Sequence, residues 1–271
     1  MDEMEKLRIR LPGQSEQSFD PVEYGKMRAD SHNKSVGDMT GYDCPKCKNR
    51  GNIAIPKEDG GISFAECSCM KIRRCVQKME ASGLRDVIKS YTFDAYHDTE
   101  DWQKTIKQGA MAYAENPVGW LLFCGQSGSG KTHLCTAVCR HLLLAGKEVI
   151  YMPWRQDVRK MKAMDSSNQV GMLEHLQKAP ILFIDDLFKT ARSSDGSFYP
   201  SAADINIAIE IIDYREAKRL TTIISTERTT EELVDIDEAT GGRIVDMSGK
   251  NAYSIGRDTK RNYRLRSVVA V

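Results

Sequence analysis

Nowhere in the chain do apolar residues run on for the ~20 consecutive positions a membrane helix needs. The first residues, MDEMEKLRIRL, also lack the apolar core of an export signal. A cytoplasmic protein with no membrane partner is expected. Net charge is nearly absent as well, +1 over 271 residues, which argues against a protein that simply coats nucleic acid. No internal repeat or low-complexity tract interrupts the chain. With 41% hydrophobic and 28% charged residues, the composition excludes fibres and wholesale disorder and suffices for a sizeable core. Against this plain background stand eight cysteines. Without an export signal they read as reduced thiols or metal ligands rather than as a disulfide framework.

The chain changes character along its length. Residues 1–40 are polar and carry no sustained period, which predicts a loose arm or short helices. Residues 41–80 pack Cys44, Cys47, Cys67 and Cys69 among turn-forming glycines and form a small module, and residues 81–95 connect it to the rest. From 96 to 271 strand-like and helix-like runs alternate: strands at 120–124, 148–152, 180–185 and 221–225, and helices at 131–145, within 155–178 and at 202–218. Gly146 stands where the first of these helices would be capped. Such alternation predicts an α/β domain built on a parallel sheet.

The strongest signal is Gly125-Gln126-Ser127-Gly128-Ser129-Gly130-Lys131-Thr132, which follows one predicted strand and opens the next predicted helix. Glycines let the backbone turn its N–H groups toward phosphate oxygens, and the helix N-terminus adds partial positive charge. Lys131 is expected on the β and γ phosphates and Thr132 on Mg²⁺. A magnesium ion held by Thr132 needs a carboxylate at the end of a neighbouring strand, and Ile181-Leu-Phe-Ile-Asp185-Asp186 supplies it. Asp185 then belongs to the metal shell, and Asp186 is the candidate base for an attacking water.

The strand at 221–225 runs into Ser225-Thr226-Glu227, where a γ-phosphate sensor would fall if this strand lies between the two just described. Spacing alone does not choose among the three. Arg243, after an acidic helix-like stretch, stands where an arginine finger for a neighbouring subunit would fall.

Cys44-Pro-Lys-Cys47, nineteen residues, then Cys67-Ser-Cys69 offer two close thiolate pairs, enough for a closed tetrahedral Zn²⁺ site. Few large apolar residues lie between them, so metal binding is the more credible source of stability there. The second pair is tighter than the common spacing, which keeps Cys75 and His32 open as substitute ligands. Cys124, Cys135 and Cys139 fall on predicted core elements and read as small hydrophobes. Basic residues gather in three places. Residues 243–266 hold seven cations against two carboxylates, 44–78 hold eight against three, and Arg155, Arg159, Lys160 and Lys162 share one helix. Each could meet a phosphate backbone or be a solvated face. Trp154 beside the last cluster is a candidate for base stacking or, more simply, core.

Taken together, CPKC…ECSCMKIRR at 44–74, SGL at 82–84, YTFDAY at 91–96, GQSGSGKTHL at 125–134, ILFIDDLFK at 181–189 and TTIISTERTTEELVDIDEATGGRI at 221–244 resemble the phage and prophage members of the DnaC/DnaI helicase-loader group of AAA+ ATPases. The resemblance spans roughly residues 41–266. It implies an AAA+ P-loop domain, a parallel sheet flanked by helices with a rudimentary lid, preceded by a zinc module. The module would dock on a hexameric replicative helicase of DnaB type, while the ATPase domain binds single-stranded DNA and self-associates through its ATP sites. Carried over by position, Lys131 and Thr132 bind ATP–Mg²⁺, Asp185 and Asp186 form Walker B, Arg243 is the finger, and the four cysteines hold zinc.

Two departures stand out. Asp186 replaces the usual Glu, and Glu227 stands where many relatives have Asn. A shorter acid reaches water less well, and a carboxylate near the γ-phosphate needs a cationic partner. Slow hydrolysis regulated by DNA or a partner is expected, which the basal turnover of the purified protein measures. Only twenty-eight residues follow Arg243, so a full helical lid is not expected, and Arg261 and Arg264 are the candidates for a lid-type sensor arginine. Two other readings compete. A transposase helper of the IstB type has no use for a four-cysteine docking module, and a small-molecule P-loop kinase would need a substrate lid that the sequence does not contain.

Overall fold

The computed structural model describes residues 20–40, 42–79, 90–190 and 199–265, apart from the side chains of 75, 78 and 79. Two compact units divide at Met70 and Lys71. In the first, α1 (Pro21–Lys34) starts at Asp20, whose carboxylate accepts from the N–H groups of Val22 and Glu23, with Pro21 in the first turn. An antiparallel hairpin follows, β1 (Asn52–Pro56) and β2 (Ile62–Glu66). The Asn33 amide both donates to Ala54 O and accepts from Ala54 N, at 2.9 Å each, and so bonds to β1 as a neighbouring strand would. Of the loose arm or short helices expected over residues 1–40, the described part contains a helix, fastened to the hairpin. In it only Gly25 and Ala29 are buried while Val22, Tyr24 and Met27 stay exposed, which is why no period of 3.6 is visible. The helix α2 (Cys69–Met79) begins at the fourth thiol of the cysteine group.

The second unit holds a five-stranded, wholly parallel sheet in the order β4-β5-β6-β3-β7: β3 (Leu121–Gly125), β4 (Val149–Pro153), β5 (Ile181–Asp185), β6 (Thr221–Ser225) and β7 (Ala252–Ile255). β3 and β5 are buried at all five positions, as a sheet covered on both faces requires. The helices are α3 (Asp101–Glu115), α4 (Lys131–Leu144), α5 (Trp154–Lys162), α6 (Ser166–Gln177), α7 (Ala202–Ala217), α8 (Thr230–Ile236) and α9 (Glu238–Ser248). Cys124, Cys135 and Cys139 are wholly buried, as expected of small core hydrophobes. Trp154 is core too, edge-on to Phe188 at 5.4 Å, so it is not available to stack on a base. The sequence reading misses β7, four residues of mixed polarity at the sheet edge. Most of the surface loop expected at 189–200 lies outside the described residues, as do residues 81–89 of the connector and Arg266.

Because every strand points the same way, the segments leaving β3, β5, β6 and β7 emerge along one edge, the usual place for a ligand in such sheets. The opposite side is organised by Arg215, which is fully buried. Its guanidinium donates to the carbonyls of Leu176, Gln177, Ala179 and Thr221 and to the Thr222 hydroxyl, capping the end of α6 and tying it to β6. Burial draws its pKa down to about 10, so it stays protonated at neutral pH. Arg215→Leu strands four carbonyls, those of Leu176 and Ala179 buried; we expect a loss of about 3 kcal/mol or more, read as a lower midpoint of urea unfolding.

Candidate functional site

The loop from Gly125 to Gly130 folds as the spacing predicts, and two of its glycines are fixed by close approach. At Gly125 (φ 97°) a Cβ would stand 2.1 Å from Ile255 O, and at Gly128 (φ 71°) it would stand 1.9 Å from Asn262 Oδ1. Lys131 is buried and its ammonium donates to the loop's own carbonyls, Gly125 O at 3.0 Å and Gln126 O at 2.7 Å. Burial lowers its pKa, and the charges of Glu227 and Asp186 offset only part of that.

Thr132, the first residue after that lysine, donates to Asp185 Oδ1 at 2.9 Å. Ser225 donates to the same oxygen at 2.6 Å, and the Tyr151 hydroxyl donates to Oδ2 at 3.0 Å. Burial pushes the Asp185 carboxyl up, with the negative charge of Asp186 acting in the same sense, and these three hydrogen bonds only partly counter it. A threonine hydroxyl and a buried carboxylate side by side are the hard oxygen donors that Mg²⁺ takes, so the residues present fit that ion.

Of the three sensor candidates, each has a different place. Ser225, besides donating to Asp185, accepts from the Asp186 N–H at 2.9 Å and fixes the end of β5. Thr226 is buried and donates to Leu187 O. Glu227 faces the phosphate loop, accepting from Ser127 Oγ at 2.7 Å. The cationic partner that such a carboxylate needs is Lys189, 3.2 Å from Glu227 and 2.8 Å from Asp186. Burial opposes the Glu227 charge, yet the Ser127 bond and Lys189 hold its pKa below the usual value. Sequence reasoning missed Lys189, although a lysine three residues beyond Asp186 is a legible signal.

The turn that carries it is unusual. Asp186 (φ 59°) and Phe188 (φ 57°) both lie in the left-handed region, at about 1–3 kcal/mol each for non-glycine residues. Phe188 is nonetheless buried in the core, so packing holds the turn in place.

A cavity of ≈ 260 Å³ opens from the loop and is lined at its phosphate end by Lys131, Thr132, Asp186, Lys189 and Glu227. Its other end is aromatic: Tyr91 stacks on His133 at 4.2 Å, and Tyr96 stands edge-on to both His133 and Tyr263. Such a wall suits a planar base, and nothing in the motif spacing pointed to it. Arg264 lines this cavity too, whereas Arg261 sits over the Trp102 ring at 5.6 Å, which separates the two lid-type candidates. Arg243 is not in the cavity. It lies on α9, paired with Asp213 at 3.1 Å and Glu216 at 2.8 Å on α7. Arg155, Arg159, Lys160 and Lys162 are exposed on α5, with Lys162 paired to Asp204 and Lys160 3.7 Å from Asp157.

In the first unit, Cys44, Cys47, Cys67 and Cys69 are buried with their sulfurs within 4.8 Å of one another; Cys44 and Cys67 stand 3.8 Å apart, Cys47 and Cys69 3.5 Å. A tetrahedral zinc with Zn–S of about 2.3 Å sets its sulfurs about 3.8 Å apart, so the four residues fit that ion. The Gly51 N–H donates to Cys47 Sγ at 3.3 Å. Burial works against a Cys47 thiolate, but that N–H and the neighbouring thiols outweigh it and bring its pKa to about 6, while burial raises that of Cys67. His32, one of the substitute ligands considered, instead hydrogen-bonds to Asn52 Oδ1 at 2.8 Å. The Cys75 side chain lies outside the described residues.

The family model described as "ATPase family associated with various cellular activities (AAA)" matches residues 121–246. The phage-like element PBSX protein XkdC of Bacillus subtilis (strain 168) is 29% identical over 267 residues, 93% of this chain and 97% of that protein. The replicative helicase loader DnaC of Escherichia coli (strain K12) is 26% identical over 204 residues, 72% of this chain and 78% of that protein. Among solved structures, the DnaC helicase loader matches with a TM-score of 0.51 at 22% identity, covering 62% of this chain and 96% of its own. At that identity the structural likeness speaks for the fold.

If the four thiols hold zinc, Cys44→Ser will lose the metal and unfold the first unit while nucleotide affinity stays unchanged. Elemental analysis with nucleotide titration checks this, and an unaltered zinc content excludes Cys44 as a ligand.

Proposed function

We propose that this chain, which belongs to the DnaC-like branch of the AAA+ P-loop ATPases, is an ATP-dependent loader of a hexameric replicative helicase acting in the cytoplasm. The reading rests chiefly on one observation: a single chain pairs a four-thiol unit with a complete phosphate-binding and Walker B constellation. In this reading, residues 41–80 form the zinc-bearing docking module, joined to the ATPase domain at 96–271 by the connector at 81–95. The helix α1 fastens to the hairpin of the module, so residues 21–34 of the polar arm would contribute to the docking unit.

At the ATP site, the ammonium of Lys131 turns from its two loop carbonyls to the β and γ phosphates. Thr132 and Asp185 would hold Mg²⁺, which when bound neutralises charge between those phosphates. Asp186 takes the proton of the attacking water, and Glu227, tied to Ser127, monitors the γ-phosphate end. Arg243 would leave Asp213 and Glu216 to meet the γ-phosphate of a neighbouring subunit, so that assembly and hydrolysis are coupled. Single-stranded DNA would be held by exposed cations, those on α5 among them.

Two experiments test this. Co-purification with candidate replicative helicases should succeed and should depend on ATP; failure with every helicase of the host, alongside binding to a transposase, favours the transposition-helper alternative. Arg243→Ala should cut hydrolysis in the assembly roughly 10³-fold and leave the nucleotide affinity of the isolated subunit unchanged. Full activity of that variant removes the finger assignment.

A further inference from the structure

Lys189 touches two acids of the phosphate site, and neutralising Glu227 accounts for only one of those contacts. It sits at the end of a four-residue turn, its N–H bonded to Asp186 O at 2.9 Å, and two left-handed residues aim its side chain back over the end of β5. Its ammonium is shared between Asp186 Oδ2 and Glu227 Oε1, two carboxylates that come from different strands. Burial works against that charge, but the two acids more than restore it, so its pKa is raised. The same residue lines the cavity that holds Lys131 and Thr132, and also a neighbouring cavity of ≈ 460 Å³ reached from Ser127, Arg228 and Arg257. A lysine that served only to neutralise Glu227 would not need a strained turn to bring it over Asp186 as well. Strain held in place by a buried phenylalanine marks a position that the fold maintains for its use.

We propose that Lys189 is a second phosphate-binding cation of the ATP site, which contacts the γ-phosphoryl oxygens and releases Asp186 as it does so. The inference rests on the reading of Asp186 as base. With Lys189 on Asp186, an ammonium occupies Oδ2 of that carboxylate. With Lys189 on the γ-phosphoryl group, two things change together. Its charge offsets the negative charge on the equatorial oxygens, and Asp186 becomes free to accept. Water oxygen then bonds to the γ-phosphorus, the bond from that phosphorus to the β–γ bridging oxygen breaks with its electron pair going to ADP, and the water proton passes to Asp186. The products are ADP and inorganic phosphate. Because ADP lacks the γ-phosphoryl group, it leaves Lys189 on the two carboxylates. The lysine thus distinguishes the two nucleotides before any chemistry occurs.

The test compares the full-length parent, Lys189→Met, Glu227→Gln and the double variant for ADP affinity, affinity for a non-hydrolysable ATP analogue, and single-turnover hydrolysis. Lys189→Met should keep the parent's ADP affinity, which also reports that the site is folded. It should lose about tenfold to hundredfold in preference for the ATP analogue over ADP, and hydrolyse about 10²-fold more slowly. Lys189→Arg should recover part of the preference. The decisive arm is the double variant, since two residues that act through each other do not add. If Lys189 merely neutralises Glu227, its removal costs no preference once Glu227 is Gln, and the proposal is overturned. If it touches the γ-phosphoryl group, the loss persists in that background and also when Lys189→Met is combined with Asp186→Asn, which removes the other acid the lysine could merely neutralise. Asp186→Asn separates the two ideas: normal hydrolysis by that variant overturns the base assignment, while the nucleotide preference of Lys189→Met still reads the lysine directly.

Discussion

The buried carboxylate of Asp185 is the point on which the candidate ATP site depends. Three hydroxyls converge on it, from Tyr151 on β4, from Ser225 on β6 and from Thr132 in the first turn of α4. Without those donors a carboxylate buried this deeply would be expensive to keep charged. With them it fixes three adjacent strands and the phosphate helix at one spot on the sheet edge. Ser225 extends the arrangement by accepting from the Asp186 N–H, so the hydrogen bonds that satisfy one acid set the backbone of the next. The sheet thereby fixes the start of the phosphate helix, while the loop before it is held by its own bonds, Lys131 to Gly125 O and Gln126 O among them.

The two units solve the problem of stability differently. The larger one buries a continuous apolar core and still admits a fully buried arginine, because five acceptors surround its guanidinium. The smaller one has almost no apolar core beyond its sulfurs, with Tyr42, Ile53 and Met70 packed around them. Its helix is held to the hairpin by polar contacts such as the Asn33–Ala54 pair. A unit of that kind relies on its thiol group for cohesion.

Much of the large unit was legible because its strands are short apolar runs and its phosphate motif has a rigid spacing that few other structures need. Lys131, Thr132, Asp185 and the thiol group belong to that class. The remainder depends on which segments meet in space. Tyr91, Tyr96 and Tyr263 join one wall from positions up to 172 residues apart in sequence, and no local pattern announces it. β7 escaped notice because an edge strand of four residues carries too little periodicity. Lys189 was legible by its spacing from Asp186, but nothing local says which acids its side chain meets, and α1 shows no period of 3.6 because only Gly25 and Ala29 are buried.

At Gly128 the phosphate loop accepts, through its carbonyl, the N–H of Tyr263 at 2.9 Å, and its bare Cα faces the Asn262 amide. Residues 262 and 263 are therefore clipped to the loop that must wrap the phosphates. Any adjustment of the loop is felt by that distant stretch of chain. The relation runs both ways, since coupling free energies are reciprocal. A macromolecule that pulled residues 259–265 away would alter how tightly nucleotide is held by the factor with which nucleotide alters that macromolecule's own grip. In the proposed reading, the clip makes residues 259–265 a lever on the nucleotide.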